Sequence, residues 1–347
     1  MMEIIDIMMK FKHYIQCIDA HTGGEPLRIV TSGFPPIPGK TILDKRKYVL
    51  ENLDHLRKLI MLEPRGHSGM YGCILCDRVT EDGDFAVLFT HNEGLSSMCG
   101  HAVIAISKVA IEMGMVDYSE GGNIIKIDTP AGRITCRADV ENGEVVKVSF
   151  QNVPCFVYRR DIDVHVDGIG SIIADIVYCG AFYVYVDVSQ ISMDVTPRHL
   201  SRLVAVGTEI KEKTAAAEKF VHPTEPGIDW LYGTILYEPL KQDGDRILTK
   251  NVCIFAQGQI DRSPTGSGTG GRVALHYAKG ELSHGQILVN ESITGIPMEG
   301  KVISETTVGT YPAIVTEVSG IAHIMGFTNL VLDPKDPLPE GFRIIGN

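Results

Sequence analysis

A cysteine and a threonine occupy matching places in two short segments of this chain, and the difference between them is chemical. The first segment is Met98-Cys99-Gly100-His101, followed by an apolar stretch closed by Gly114. The second is Pro264-Thr265-Gly266-Ser267-Gly268, followed by Arg272 to Lys279 and closed by Gly280. Cys99 and Thr265 each stand fifteen residues ahead of the closing glycine. Each segment reads as a polar turn opening a helix of about three to four turns. A helix N-terminus offers unpaired N–H groups and the positive end of a dipole, so two such ends facing each other would hold an anion such as a carboxylate. A thiol at a helix start is expected to have its pKa lowered from about 8.5, which makes thiolate, a base, accessible near neutral pH. A threonine hydroxyl without a dedicated partner does not become a base. Asp261, four residues before Thr265, stands where it would meet a cation beside the anion. The expected ligand is therefore a small zwitterion with one base on one side of it.

The elements that must position these residues are mostly strands. Runs such as Tyr14–Ile18, Arg28–Thr31, Gly72–Leu75, Phe85–Phe89, Ile124–Ile127, Val145–Phe150, Ile172–Val177, Phe182–Val186, Trp230–Tyr237 and Val252–Ala256 are short and rich in β-branched and aromatic residues. Gly, Pro, Asn and Asp bound them, as strands require. Asn142-Gly143 lies between two such runs as a hairpin turn. Helical spacing is seen over Tyr48 to Met61 and over Thr196 to Lys211, besides the stretches after Cys99 and Thr265. Because the helix-opening segment recurs, the expected fold is α+β. It has two similar halves, each of strands wrapped around one central helix, with the active site in the cleft between them. The expected first half is 1–140 with about 324–347 and carries Cys99; the second is 141–323 and carries Asp261 and Thr265.

Composition narrows the partners. A chain of 347 residues with 44% hydrophobic and 22% charged residues has enough apolar content for a large core. A net charge of −11 argues against nucleic acid and anionic membranes as partners. No apolar run reaches the length of a transmembrane helix, and Met1 to Lys12 lacks the layout of a secretion signal. Eight cysteines spread this thinly do not form a disulfide framework, so a reducing cytoplasm is expected.

Three other patterns lead away from the site. Gly266, Gly268 and Gly271 satisfy G-x-G-x-x-G, and Glu291 follows at a suitable distance. The preceding strand ends near Ala256, too early for the tight strand-to-helix turn of a dinucleotide site. Cys73 and Cys76 have redox spacing but lie in a strand-like run without a second pair, which favours a structural role. The histidines form no metal-binding pattern. His21-Thr22-Gly23-Gly24-Glu25 and Arg65-Gly66-His67 read as glycine-rich turns with polar tips, open to a ligand role or none.

Six ordered motifs carry a resemblance that spans nearly the whole chain: Asp19 to Pro26, Glu63 to His67, His91 to Gly94, Met98 to His101, Asp128 to Gly132 and Asp261 to Gly268. On these residues the chain resembles the proline racemase family. The resemblance implies a diaminopimelate-epimerase-like fold, no cofactor and no metal, a small-molecule substrate and a homodimer. Family racemases and epimerases set one cysteine on each face of the substrate α-carbon; here the first is Cys99 and the second position holds Thr265. That departure matches the branch of the family that dehydrates trans-3-hydroxy-L-proline. Carried over residue by residue, the substrate contacts are Gly100 and His101 on one side, Gly266 and Ser267 on the other, and Asp261 at the ring nitrogen. Stereochemistry agrees: in this substrate the α-hydrogen and the C3 hydroxyl lie on one face, so a single base suffices to start elimination. The alternatives are a hydroxyproline 2-epimerase or proline racemase, and a non-catalytic amino-acid-binding protein.

Overall fold

In the computed structural model, which describes residues 10–344, strands dominate, and nineteen of them join in one continuous, strongly branched sheet system. The reading of the first residues as lacking a secretion signal falls largely outside the described residues. Five α-helices are labelled in chain order: α1 (Ile42–Tyr48), α2 (Asp54–Met61), α3 (Gly100–Glu112), α4 (Leu200–Ala217) and α5 (Gly266–Ala278).

The architecture is α+β in two halves, each a wrap of strands around one central helix. Helix α3 packs against the strands His13–Thr22, Glu25–Ser32, Gly132–Glu141, Glu144–Gln151 and Ala322–Leu332. Its sequence explains why it sits inside: Gly100 to Ile111 is buried on every side except at Lys108. A helix apolar all round belongs in a core. Helix α5 is wrapped by Cys155–Val166, Pro297–Val308 and Tyr311–Gly320. It is buried from Gly266 to His276 although it carries four glycines and Arg272. The glycines admit neighbours: a Cβ on Gly271 would lie 2.0 Å from the Tyr185 hydroxyl. Gly266, Gly268 and Gly271 thus lie within the helix and serve its packing, which accounts for the G-x-G-x-x-G spacing without a phosphate loop.

Chain order does not separate the halves cleanly. Ala322–Leu332 pairs antiparallel with His13–Thr22, from Leu332 opposite His13 to Ala322 opposite Thr22. Asn142-Gly143 forms the hairpin turn between Gly132–Glu141 and Glu144–Gln151, and the second of these strands also pairs with Tyr311–Gly320.

The region read as helical over Tyr48 to Met61 is longer than expected. Helix α1 starts at Ile42 because Thr41 caps it: the Asp44 N–H donates to Thr41 Oγ1 at 3.1 Å, and the Thr41 N–H donates to Asp44 Oδ2 at 3.0 Å. A π-helical turn, Val49–Leu53, leads from α1 into α2. The second expected helix begins as a short 3₁₀ turn at Pro197–His199 and continues as α4 to Ala217.

Cysteine usage departs from expectation at one pair. Cys155 and Cys179 are disulfide-bonded, whereas Cys17, Cys73, Cys76, Cys99, Cys136 and Cys253 are free. The spacing of Cys155 and Cys179 along the chain gave no sign of this pairing; strand registry brings them together. No α-helix among the described residues is long and apolar enough to cross a membrane.

Candidate active site

Helices α3 and α5 meet N-terminus to N-terminus. The meeting point is Gly100 against Gly266: a Cβ on Gly100 would lie 2.5 Å from Gly266 Cα, and one on Gly266 would lie 2.6 Å from Gly100 Cα. No other residue type fits that approach. Cys99 and Thr265 are the two N-caps, so the contact sets them on either side of one small space. The first intrahelical bonds run from the Val103 N–H to Cys99 O at 3.0 Å and from the Thr269 N–H to Thr265 O at 2.7 Å. The N–H groups of Gly100, His101, Gly266 and Ser267 precede those bonds and have no acceptor within their own helices.

A lattice of side chains holds the second cap. Asp261 Oδ1 accepts the Ser263 N–H at 2.8 Å, and Ser263 Oγ accepts the Thr265 N–H at 3.1 Å. Asn251 Nδ2 and Thr269 Oγ1 both donate to Pro264 O, at 3.0 and 3.2 Å. The lattice keeps Thr265 at φ 65°. A β-branched residue rarely adopts positive φ, and such strain persists only where its surroundings enforce it. Thr265 Oγ1 is buried with no hydrogen-bond partner among the described residues.

On the Cys99 side, His101 Nδ1 lies 3.0 Å from Cys99 Sγ. The sequence places His101 at the substrate; the contact between its ring and the thiol has no sequence signal. The Tyr71 ring meets the His101 ring edge-on at 4.9 Å, and Thr22 Oγ1 donates to His101 O at 2.9 Å. The helix start does not lower the Cys99 pKa as expected. Burial pushes the thiol well up and the Asp261 carboxylate adds to this, while the Ala102 N–H and the Tyr71 hydroxyl pull the other way. The physical reason is solvation: a fully desolvated sulfur loses more by ionising than one turn of helix returns. Burial likewise lowers the His101 pKa, which makes a neutral imidazole its form near pH 7.

All seven residues expected from the sequence line one cavity: Cys99, Gly100, His101, Asp261, Thr265, Gly266 and Ser267. Glu25, Tyr71, Met98, Tyr183, Tyr232, Cys253 and Phe255 complete it. Its enclosed volume is only about 20 Å³, on the order of one water molecule. The Tyr183 hydroxyl is 2.8 Å from Ser267 Oγ, and Tyr232 stacks on Phe255 at 5.5 Å. The aromatic residues carried no sequence signal, because they stand in strands where an inward tyrosine reads as core. Glu25 did lie in a glycine-rich turn already noted, but nothing marked it as the part that matters. Cys253 lies opposite Asp261 in the strand pair; burial raises its pKa well above the usual range, and the Thr265 hydroxyl beside it works against that rise. Cys73 and Cys76 lie in the strand Tyr71–Cys76 and do not line this cavity. No cluster of metal-ligating side chains occurs among the described residues.

The profile of the proline racemase family matches residues 17–343. The chain belongs to the proline racemase family. Within it, a protein of Burkholderia cenocepacia named trans-3-hydroxy-L-proline dehydratase is 44% identical over 97% of this chain and all of its own length. A Burkholderia multivorans protein named 3-hydroxyproline 2-epimerase is also 44% identical, with the same coverage. Among solved structures, a hydroxyproline epimerase from Agrobacterium vitis with bound trans-4-hydroxy-L-proline superposes with a TM-score of 0.90 at 27% identity, covering 97% of this chain and 96% of its own.

Proposed function

We propose that this member of the proline racemase family dehydrates trans-3-hydroxy-L-proline to Δ1-pyrroline-2-carboxylate, with Cys99 as the base. The observation that carries the reading is the asymmetric pair of helix caps, a thiol at Cys99 and a hydroxyl at Thr265, across the Gly100–Gly266 contact. The curated relatives named as dehydratases support it. The N–H groups of Gly100, His101, Gly266 and Ser267 receive the substrate carboxylate, and Asp261 faces the ring ammonium. The neutral His101 imidazole, 3.0 Å from Sγ, draws the proton from the Cys99 thiol. The resulting thiolate removes the α-hydrogen on the face that carries the C3 hydroxyl. Hydroxide loss leaves a C2=C3 enamine, which tautomerises to the cyclic imine. The reaction uses no metal and no organic cofactor. The protein works in the cytoplasm as a homodimer, and each protomer has two halves, 1–140 with about 324–347, and 141–323.

A second reading, 2-epimerisation of 3-hydroxyproline, has one specific support: a relative of equal identity bears that name. Incubation with trans-3-hydroxy-L-proline in deuterated water separates the two. Dehydration yields a cyclic imine; epimerisation yields an α-deuterated D-configured hydroxyproline. Accumulation of the latter without imine would overturn the dehydratase reading.

A further inference from the structure

We propose that Glu25 is the acid that protonates the departing C3 hydroxyl while Cys99 takes the α-proton, an assignment that rests on the dehydration reading above. Elimination of hydroxide is slow without a proton donor at the leaving oxygen, and the proton that His101 draws from Cys99 stays on Nδ1, 3.0 Å from the sulfur and engaged with it rather than with that oxygen. Three observations point to Glu25.

The first is place. Glu25 opens the strand Glu25–Ser32, which packs on the Cys99-bearing helix α3, and its side chain lines the same cavity as Cys99. Its carboxyl reaches Arg262, beside Asp261, and so stands inside the cavity that holds Cys99. The second is valence. Glu25 is 1% exposed. Its Oε2 accepts the Arg262 N–H at 2.7 Å and Arg262 Nη1 at 3.2 Å, while its Oε1 is buried with no partner among the described residues. A buried carboxyl oxygen without a donor is costly as carboxylate, whereas a carboxylic O–H there is a donor aimed at a ligand. The third is the neighbour. Burial first, and the Asp261 carboxylate second, push the Glu25 pKa well up, and the Arg262 contacts only partly oppose them. Two carboxyls in one small site divide their roles in this way, one charged and one protonated.

The other hydroxyl and carboxyl groups of the cavity serve less well. Tyr71 is engaged with Ser96 Oγ, and burial makes its phenol a still weaker acid. Tyr183 and Ser267 are bonded to each other. Thr265 stands at the opposite cap and is an aliphatic alcohol. Asp261 faces the ring nitrogen.

The step balances. The Cys99 thiolate takes the α-hydrogen, the C–H pair becomes the C2=C3 bond, and the C3–O pair leaves with oxygen. Glu25 gives its proton to that oxygen, so water departs, leaving Glu25 as carboxylate and Cys99 as thiol. The thiol proton then goes to C3 and one N–H proton goes to Glu25, which gives the imine and restores both groups.

The test compares two substrates that differ in leaving group. Fluoride leaves with far less need of a proton than hydroxide. With Glu25→Gln, elimination from trans-3-hydroxy-L-proline should fall at least a hundredfold, and elimination from trans-3-fluoro-L-proline by less than tenfold. Equal losses on both substrates would overturn the assignment and leave Glu25 a positioning residue for Arg262. So would a hydroxy-substrate rate within tenfold of wild type. Should the amide variant not fold, the same ratio is read on Glu25→Asp, which draws the acid back by one methylene; a ratio equal to that of wild type then overturns it. A wild-type protein that eliminates from neither substrate overturns the dehydration reading itself, and this assignment with it.

Discussion

Replacing the Cys99 sulfur by oxygen should separate binding from chemistry. Cys99→Ser keeps the helix-end N–H groups proposed to hold the carboxylate but substitutes a group that hardly ionises. The expected outcome is less than a tenth of the wild-type rate with substrate affinity retained, read by turnover and by calorimetric titration. The pH profile follows from the direction of the thiol shift. A raised pKa means that thiolate is scarce at neutral pH and grows with alkalinity, so kcat/KM should climb as pH rises above about 7, until ionisation of the protonated Glu25 turns the profile over. A plateau already reached at pH 7 would show a thiol far more acidic than its burial allows. Thr265→Cys places a second thiol at the opposite cap. It should bring measurable racemisation of L-proline, which has no leaving group at C3, and chiral chromatography reads the product. Wild type racemising proline as fast as the variant would sink the dehydratase reading. At this scale the gathering of Cys99, Asp261 and Thr265 around one cavity was legible, because they stand in short motifs whose spacing has a mechanical meaning. Glu25, Tyr71, Tyr183, Tyr232 and Cys253 were not. Their role depends on which wall of the cavity each strand faces, and that is fixed by contacts far apart in sequence.

Among the elements, α3 and α5 were the most legible, since each announces itself by a polar turn, an apolar run and a closing glycine. The start of α1 was overlooked because Thr41 and Asp44 form a capping box with aspartate in place of the usual glutamate. The long strands Pro297–Val308, Tyr311–Gly320 and Ala322–Leu332 were not picked out either. Ala322–Leu332 alternates exposed and half-buried positions along an outer surface, so it lacks the apolar signature of a core strand. The disulfide between Cys155 and Cys179 was invisible for the same reason as Glu25. The helix-to-helix contact gives a prediction at this scale. Gly100→Ala inserts a methyl group into the backbone of Gly266, and overpacking of this kind costs about 1–3 kcal/mol. The variant should melt at lower temperature in calorimetry and lose most of its activity, because the anion-binding N–H groups are displaced with the helix ends.

For the whole molecule, the proposed mechanism draws the electrostatics at the site from helix ends and side chains, so dialysis against a chelator should leave turnover unchanged. Activity lost on dialysis and restored by one divalent metal would refute this. The two-halves organisation was legible from a recurring motif, whereas the interleaving of the halves in chain order was not. The Gly100–Gly266 contact has a mechanical consequence. Neither backbone has room for a Cβ, so the two helix starts are seated directly on each other, and main chain rather than any side chain sets the separation of the Cys99 and Thr265 caps. Repacking of side chains elsewhere in the cleft therefore leaves that separation unchanged, and Arg262, bonded to Glu25 and at 3.1 Å to Gly69 O, ties the two halves together a second time.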